Sequence, residues 1–258
     1  MNKMTFNKER MSVQIQRLLM MMVAIIVASM TITACLDDEN SDDPDDNGDG
    51  GNGGGVSGKR LKTTVITCSK PLNQPLVRTE YSFNSDGTIK GSEGYDASSK
   101  RLFYSVGTNN SDGTIQKTII YNNDGTVMIE AINSYNSNKT LQKTQNNYFN
   151  NGVISFTIDI EYKYENGKKI REEYYTNGVE NANYKINYDN QGRRTTSIYT
   201  LYEAGQTFTM TYTRTYNSDG TIQKVTYPLS FVDNTTVTET FTWENGKTTY
   251  DFDMFSPY

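Results

Sequence analysis

Histidine is absent from all 258 residues. With it go the commonest general base, the commonest metal ligand and every Ser-His-Asp or Cys-His arrangement. Cysteine is reduced to Cys35 and Cys68. Cys68 lies in TTVITCSK, a β-branched run that reads as a strand carrying a buried, inert thiol rather than a nucleophile. Glycines stand one per turn and do not cluster after a strand, so no phosphate-cradling loop is present. Carboxylates are plentiful, yet none is singled out as a catalytic pair. Glu172 and Glu173 are adjacent, and on a strand they point to opposite faces. A basic excess is missing too. Four of the 25 Lys and Arg and nine of the 30 Asp and Glu precede Lys59, which leaves 21 of each in residues 59–258. A neutral domain argues against nucleic-acid binding, which needs a basic surface. The chain reads as non-enzymatic and without a cofactor.

The N-terminus carries a targeting pattern. Lys3, Lys8, Arg10 and Arg17 form a positive region ahead of LLMMMVAIIVASM (Leu18–Met30), an apolar run of 13 residues. That is the length of a signal-peptide core and too short to span a bilayer comfortably. It ends in Ile32-Thr33-Ala34-Cys35, which resembles the lipobox of bacterial lipoproteins. The resemblance implies a signal peptide over residues 1–34 and lipid attachment at Cys35. The plainer reading is an ordinary secretory signal in which Cys35 is incidental. If Cys35 carries lipid, Cys68 has no partner and no intrachain disulfide is expected.

Residues 35–58 read as an extended tether. LDDENSDDPDDNGDGGNGGGVSG (Leu36–Gly58) holds eight acidic residues, no Lys or Arg, and seven Gly from Gly48 onward. Such a segment buries too little apolar surface to offset its ordering entropy. Asp45-Asp46-Asn47-Gly48-Asp49-Gly50 matches the front half of a calcium loop, but the twelfth position, where a bidentate Glu is needed, is Val56. A solvated acidic spacer is the better reading. An acidic run directly after a lipidated Cys resembles the surface-export signal of Bacteroidetes-type lipoproteins. That implies an outer-membrane location facing the exterior.

Residues 59–258 repeat. NSDGTIQK occurs at Asn110–Lys117 and again, letter for letter, at Asn217–Lys224, with NSDGTIK at Asn84–Lys90. An aromatic precedes each of a long series of such turns: Phe83 before NSDG, Tyr121 before NNDG, Tyr164 before ENG, Tyr188 before DNQG and Trp243 before ENG are examples. The glycines from Gly87 to Gly246 fall at multiples of about 13 residues. In N-S-D-G the Asn suits the first position of a type I turn, and Gly takes the left-handed position that closes a bulge. N-G alone suits a type I′ hairpin. Between turns the period is two. In ISFTIDIEYKY, Ile154, Phe156, Ile158, Ile160, Tyr162 and Tyr164 oppose Ser155, Thr157, Asp159, Glu161 and Lys163. In TFTMTYTRTY, Phe208, Met210, Tyr212 and Tyr216 oppose five threonines, with Arg214 intruding on the apolar face; Glu239 intrudes likewise further on. No 3.6-residue apolar stripe follows residue 59.

The expected fold is all-β: an up-and-down antiparallel meander of about 15 strands of roughly nine residues, each about 30 Å long. Open twisted sheets rarely exceed about ten strands, so the meander should curl into a barrel or half-barrel with its apolar face inward. The opposite polarity, apolar toward lipid, is the alternative of a transmembrane barrel. The anchor, the uniformly short turns and the intruders Arg214 and Glu239 oppose it. Gly113 and Gly220 are eight periods apart, so both identical turns should share one end, where Asp112 and Asp219 would lie on a common rim.

Repeated Y-x-x-(D)-G-x-(I/L)-x-K units resemble the YD repeats of RHS-type proteins. Lipobox, acidic tether and β-meander together are similar to Bacteroidetes lipoproteins of unknown function with a porin-like fold. The units are shorter than true YD repeats and no cargo domain is present, so the encapsulating role of RHS shells does not carry over. Neither resemblance supplies catalytic residues. The functional expectation is a lipid-anchored surface module binding a glycan, a peptide or an apolar ligand such as a lipid. A structural or adhesive envelope role and a hydrophobic-ligand carrier are the alternatives. A carrier requires an empty apolar cavity, a binding platform an exposed aromatic strip. If Cys35 is the anchor, Cys35→Ala releases the protein from membranes in a fractionation assay; unchanged partitioning would contradict lipidation.

Overall fold

The computed structural model describes residues 59–69, 76–203, 205–229 and 235–245. The signal peptide, Cys35, the tether and its partial calcium motif lie outside the described residues. Fourteen strands follow one another: β1 (Lys59–Cys68), β2 (Arg78–Phe83), β3 (Ile89–Tyr95), β4 (Arg101–Asn109), β5 (Ile115–Asn122), β6 (Val127–Tyr135) and β7 (Leu141–Asn150), then β8 (Val153–Glu165), β9 (Lys168–Thr176), β10 (Val179–Tyr188), β11 (Arg194–Glu203), β12 (Gln206–Tyr216), β13 (Ile222–Leu229) and β14 (Thr235–Asn245). Each pairs antiparallel with the next, and β14 pairs with β1 from Lys59↔Asn245 to Cys68↔Val237. The meander therefore closes into a barrel of 14 strands, and the half-barrel is excluded. Closure leaves no strand edge to recruit another chain.

The apolar faces point inward. In register across neighbouring strands, Ile120 sits beside Ile129, Ile129 beside Tyr148, Tyr184 beside Tyr199, and Tyr199 beside Met210. All of these are buried. The alternate positions form an outer wall of threonines and ion pairs. Lys143 meets Asp159 at 2.8 Å across β7–β8, Lys117 meets Glu130 at 3.2 Å across β5–β6, and Arg60 meets Glu244 at 2.8 Å across the closing seam. Half-exposed pairs of this kind contribute little stability. They decide polarity, however: a wall facing lipid would not carry them. The side chains on the outer face thus oppose the transmembrane arrangement.

The turns account for the repeated string. In the three N-S-D-G copies the glycines have φ of 88°, 85° and 84° at Gly87, Gly113 and Gly220. Each Gly N–H donates to the carbonyl of the leading Asn. The Asp carboxylate accepts from both the N–H and the hydroxyl of the following Thr: Thr114 reaches Asp112 at 3.1 and 2.7 Å, and Thr221 reaches Asp219 at 3.0 and 2.6 Å. These bonds hold both carboxyls below their ordinary range. A register shift next to each turn supplies the bulge. The N-G turns hold Asn151, Asn166 and Asn177 at φ near 51° with Gly at 75–77°, the type I′ geometry. Gly113→Ala forces a Cβ into the left-handed region and should cost about 1–2 kcal/mol, read as a lower urea midpoint, while Ser111→Ala in the same turn leaves it unchanged.

Candidate functional site

The two ends of the barrel differ, and the difference begins in the turns. The turns from even to odd strands share one end with Lys59, where β1 starts, and Asn245, where β14 stops. At this end the first inward residues of the odd strands are all buried: Leu61, Ile89, Ile115, Leu141, Lys169, Arg194 and Ile222. Aromatics near the ends of β6, β10, β12 and β14 reach back over them. Tyr135 donates to the carbonyl of Ile115 at 2.8 Å, Tyr188 to Lys169 at 2.8 Å, Tyr216 to Arg194 at 2.6 Å, and the Trp243 indole to Ile222 at 2.7 Å. Phe83 takes the same place on β2 and packs on Leu61, Ile89 and Ile115. Basic side chains lie over these rings from outside: Arg60 over Phe83, Lys168 over Tyr188, Arg193 over Tyr216, at 5.1–5.4 Å. A repeated aromatic bolt thus seals this end. The sequence displayed those aromatics as turn markers; their reach across two strands was not visible in it.

At the opposite end the inward apolar residues reach solvent. Phe156 pairs with inward Tyr148, Val179 with inward Thr176, and Phe208 with inward Leu201, and Ile154 stands two residues ahead of Phe156. Their exposures are 38% for Phe156, 67% for Val179, 38% for Phe208 and 50% for Ile154. One layer below, Tyr148, Ile158, Tyr174, Tyr199 and Met210 are buried. Tyr148 and Phe156 stack at 4.4 Å. An apolar rim on the arc β8–β12 therefore stands over a closed floor. Burial raises the Tyr148 and Tyr199 phenols, so both stay neutral.

Among the described residues, the buried charges inside the barrel belong to β9–β14. Lys169 pairs with Glu172, whose second oxygen accepts from Tyr174 at 2.7 Å. Arg214 donates to Ser197 and to the Tyr184 hydroxyl, both at 2.8 Å. Glu239 accepts from Tyr227 at 3.1 Å. Burial pushes the Glu239 carboxyl up to about 8, against the opposing pull of Tyr227 and Arg214. The two intruders on the apolar face thus point inward with it. Glu172 and Glu173 diverge as expected: Glu173 faces outward to Arg171 at 3.1 Å and Lys163 at 3.4 Å. Asp112 and Asp219 do share the sealed end, but each is engaged by its own turn, and the β2–β3 turn and the β14–β1 seam stand between them. Cys68 is half-buried at the inner end of β1, less enclosed than the sequence suggested, because its strand ends at the exposed end of the barrel.

No protein-family model and no curated protein matches the chain. Among solved structures it is similar to a porin-like protein from Bacteroides uniformis ATCC 8492, at 15% identity and a TM-score of 0.44, over 71% of this chain and 96% of that one. It is also similar to the Photorhabdus luminescens Tc holotoxin pore carrying TccC3-D651A, at 12% identity and a TM-score of 0.27. A third similarity is to TcdB2-TccC3-TEV, at 12% identity and a TM-score of 0.28. In both toxin matches the aligned region covers 62% of this chain and 9% of the larger one.

Glu239 generates a pH prediction. Its carboxyl is protonated in the fold up to about pH 8, whereas in the unfolded chain it ionises above roughly pH 4.5. The unfolded state therefore gains from ionisation between those limits, and stability falls as pH rises through that window. Glu239→Gln removes this loss. The variant should match the wild type near pH 4 and exceed it at pH 8 and above by on the order of a few kcal/mol, measured by urea denaturation at each pH. Equal stability at both pH values would contradict a buried, proton-holding Glu239.

Proposed function

We propose that the chain is a non-enzymatic binding barrel of the cell envelope, lipid-anchored through Cys35 at the outer membrane and facing the exterior. The observation that carries the binding role is the placement of the apolar rim. Ile154, Phe156, Val179 and Phe208 are exposed at the end opposite Lys59. The segment that leads to Cys35 joins the barrel at Lys59, on the sealed end. A barrel tethered there presents its rim away from the membrane. Its outer wall of threonines and ion pairs suits water.

The rim favours shallow binding over deep carriage. Mid-height inward residues such as Tyr184 and Tyr212 are 0–1% exposed, so the interior is packed with its own side chains. A ligand therefore engages the rim and the layer beneath it. The aromatic and aliphatic character of that rim points to an apolar partner group. The buried acids inside are each occupied by a tyrosine or lysine, which supports a binding role over acid–base chemistry.

Nile red, a neutral dye that brightens in apolar surroundings, tests the rim. The wild type should enhance its fluorescence, and Ile154→Ser with Phe208→Ser should weaken dye binding about tenfold, since each loses apolar contact area. Val106→Ser, on the outer wall, should leave binding intact. Loss with Val106→Ser and none with the rim pair would overturn the assignment.

A further inference from the structure

Beneath the rim, one row of inward residues stands apart. It runs Gly107 on β4, Thr118 on β5, Ala131 on β6, Asn146 on β7 and Ile158 on β8, each beside the next in register. Asn146 is 0% exposed, and neither its carboxamide oxygen nor its nitrogen has a hydrogen-bond partner. The Thr118 hydroxyl is buried and equally unpartnered. The two lie on strands separated only by β6, about 9–10 Å apart by strand spacing, with the small Ala131 between them. Buried polar groups almost always find partners within the protein. The next row toward the sealed end obeys that rule. Asn133 donates to the Ile115 carbonyl at 3.0 Å and accepts from Thr144 at 2.8 Å, and Thr144 also meets Tyr162 at 3.1 Å. Asn146 stands out because both atoms of its carboxamide are buried without a partner.

The surroundings define what would fit. The buried inward charges, Lys169, Glu172, Arg194, Arg214 and Glu239, belong to β9–β14. On β4–β8 the inward residues are uncharged: around Asn146 and Thr118 they are Ala131, Ile120, Ile129, Ile158 and Tyr148. An ionised group placed there would lose its hydration without gaining a counter-charge. A neutral group with both donor and acceptor atoms would satisfy the carboxamide and the hydroxyl together. The stacked Tyr148 and Phe156 lie one step nearer the rim on the same two strands. Phe156 is already partly in solvent, so displacing this pair joins the rim to the row below.

We propose that Asn146 and Thr118 are the polar end of the ligand site whose apolar part is the rim of Ile154, Phe156 and Phe208, and that the ligand is an uncharged amphiphile with an amide or hydroxyl head. The inference rests on the binding role assigned to the exposed end. Asn146 lies four residues, about 13 Å of strand, from the end of β7 at Asn150. A ligand therefore inserts its head past the Tyr148–Phe156 pair and leaves its apolar body against the rim. Asn146 and Thr118 are maintained for that contact at the expense of an unsatisfied interior in the unliganded chain.

Isothermal titration of the full chain with decanamide and with decanoate tests this, the two probes sharing an apolar body and differing in head charge. Decanamide should bind at least tenfold more tightly. Asn146→Leu and, separately, the isosteric Thr118→Val should leave the melting temperature of the unliganded protein equal or higher, because each removes an unpartnered group. Each should weaken decanamide by about tenfold, the effect of one lost hydrogen bond, and narrow its advantage over decanoate. Equal binding of the two probes to the wild type would overturn the proposal. So would a melting temperature lowered by several degrees in both variants, since both groups would then have partners inside the chain. If the rim variants still weaken Nile red, only the assignment of the polar head has failed. If neither probe nor dye responds to any variant, the binding role of the exposed end has failed with it.

Discussion

The strict two-residue alternation of side chains along each strand is what the whole molecule depends on. Because the strands from β2 onward are joined by turns of two to five residues, alternation on one strand is carried in register to the next, and so around the sheet. Once β14 meets β1, the apolar face of the sheet turns inward and the threonine-rich face turns outward. The bulge beside each N-S-D-G turn matters for this reason. Without the extra residue, a strand would re-enter the sheet out of phase and present its threonines to the core.

Closure alone does not distinguish the two ends; the turns do. At one end, a tyrosine or tryptophan leaving β6, β10, β12 and β14 bonds the carbonyl at the entry of the preceding odd strand, over a buried aliphatic or basic residue. The result is a plug built from the same three elements that recur in the sequence: an aromatic, an Asx turn, and Thr-Ile. At the other end, the two-residue N-G turns of β7–β8 and β9–β10 carry no such bolt, and Phe156, Val179 and Phe208 stay in solvent. The hydrogen-bonded plug and the exposed apolar rim therefore lie at opposite ends, and the plug is the end at which β1 begins.

Much of this was legible in the residues. Alternation in ISFTIDIEYKY and TFTMTYTRTY announced the strands, and Gly at each turn announced the hairpins, because both signals are local. The intruders Arg214 and Glu239 were visible as exceptions, although their partners Ser197, Tyr184 and Tyr227 were not. Those partners depend on register across several strands, which no local pattern encodes. The same holds for closure: nothing near Lys59 indicates that Asn245, at the far end of the chain, will pair with it. Asn146 was invisible for another reason. In LQKTQNNYFN it is one polar residue among many, and only its inward placement and missing partners set it apart.

The central claim is that this barrel turns its apolar face inward and its polar face to water. The direct test is light scattering of the chain from Lys59 onward in detergent-free buffer, followed by addition of lipid vesicles. The inward polarity predicts a monodisperse β-rich protein that neither inserts into vesicles nor makes them permeable. Solubility only in detergent, with insertion and leakage when vesicles are added, would contradict it.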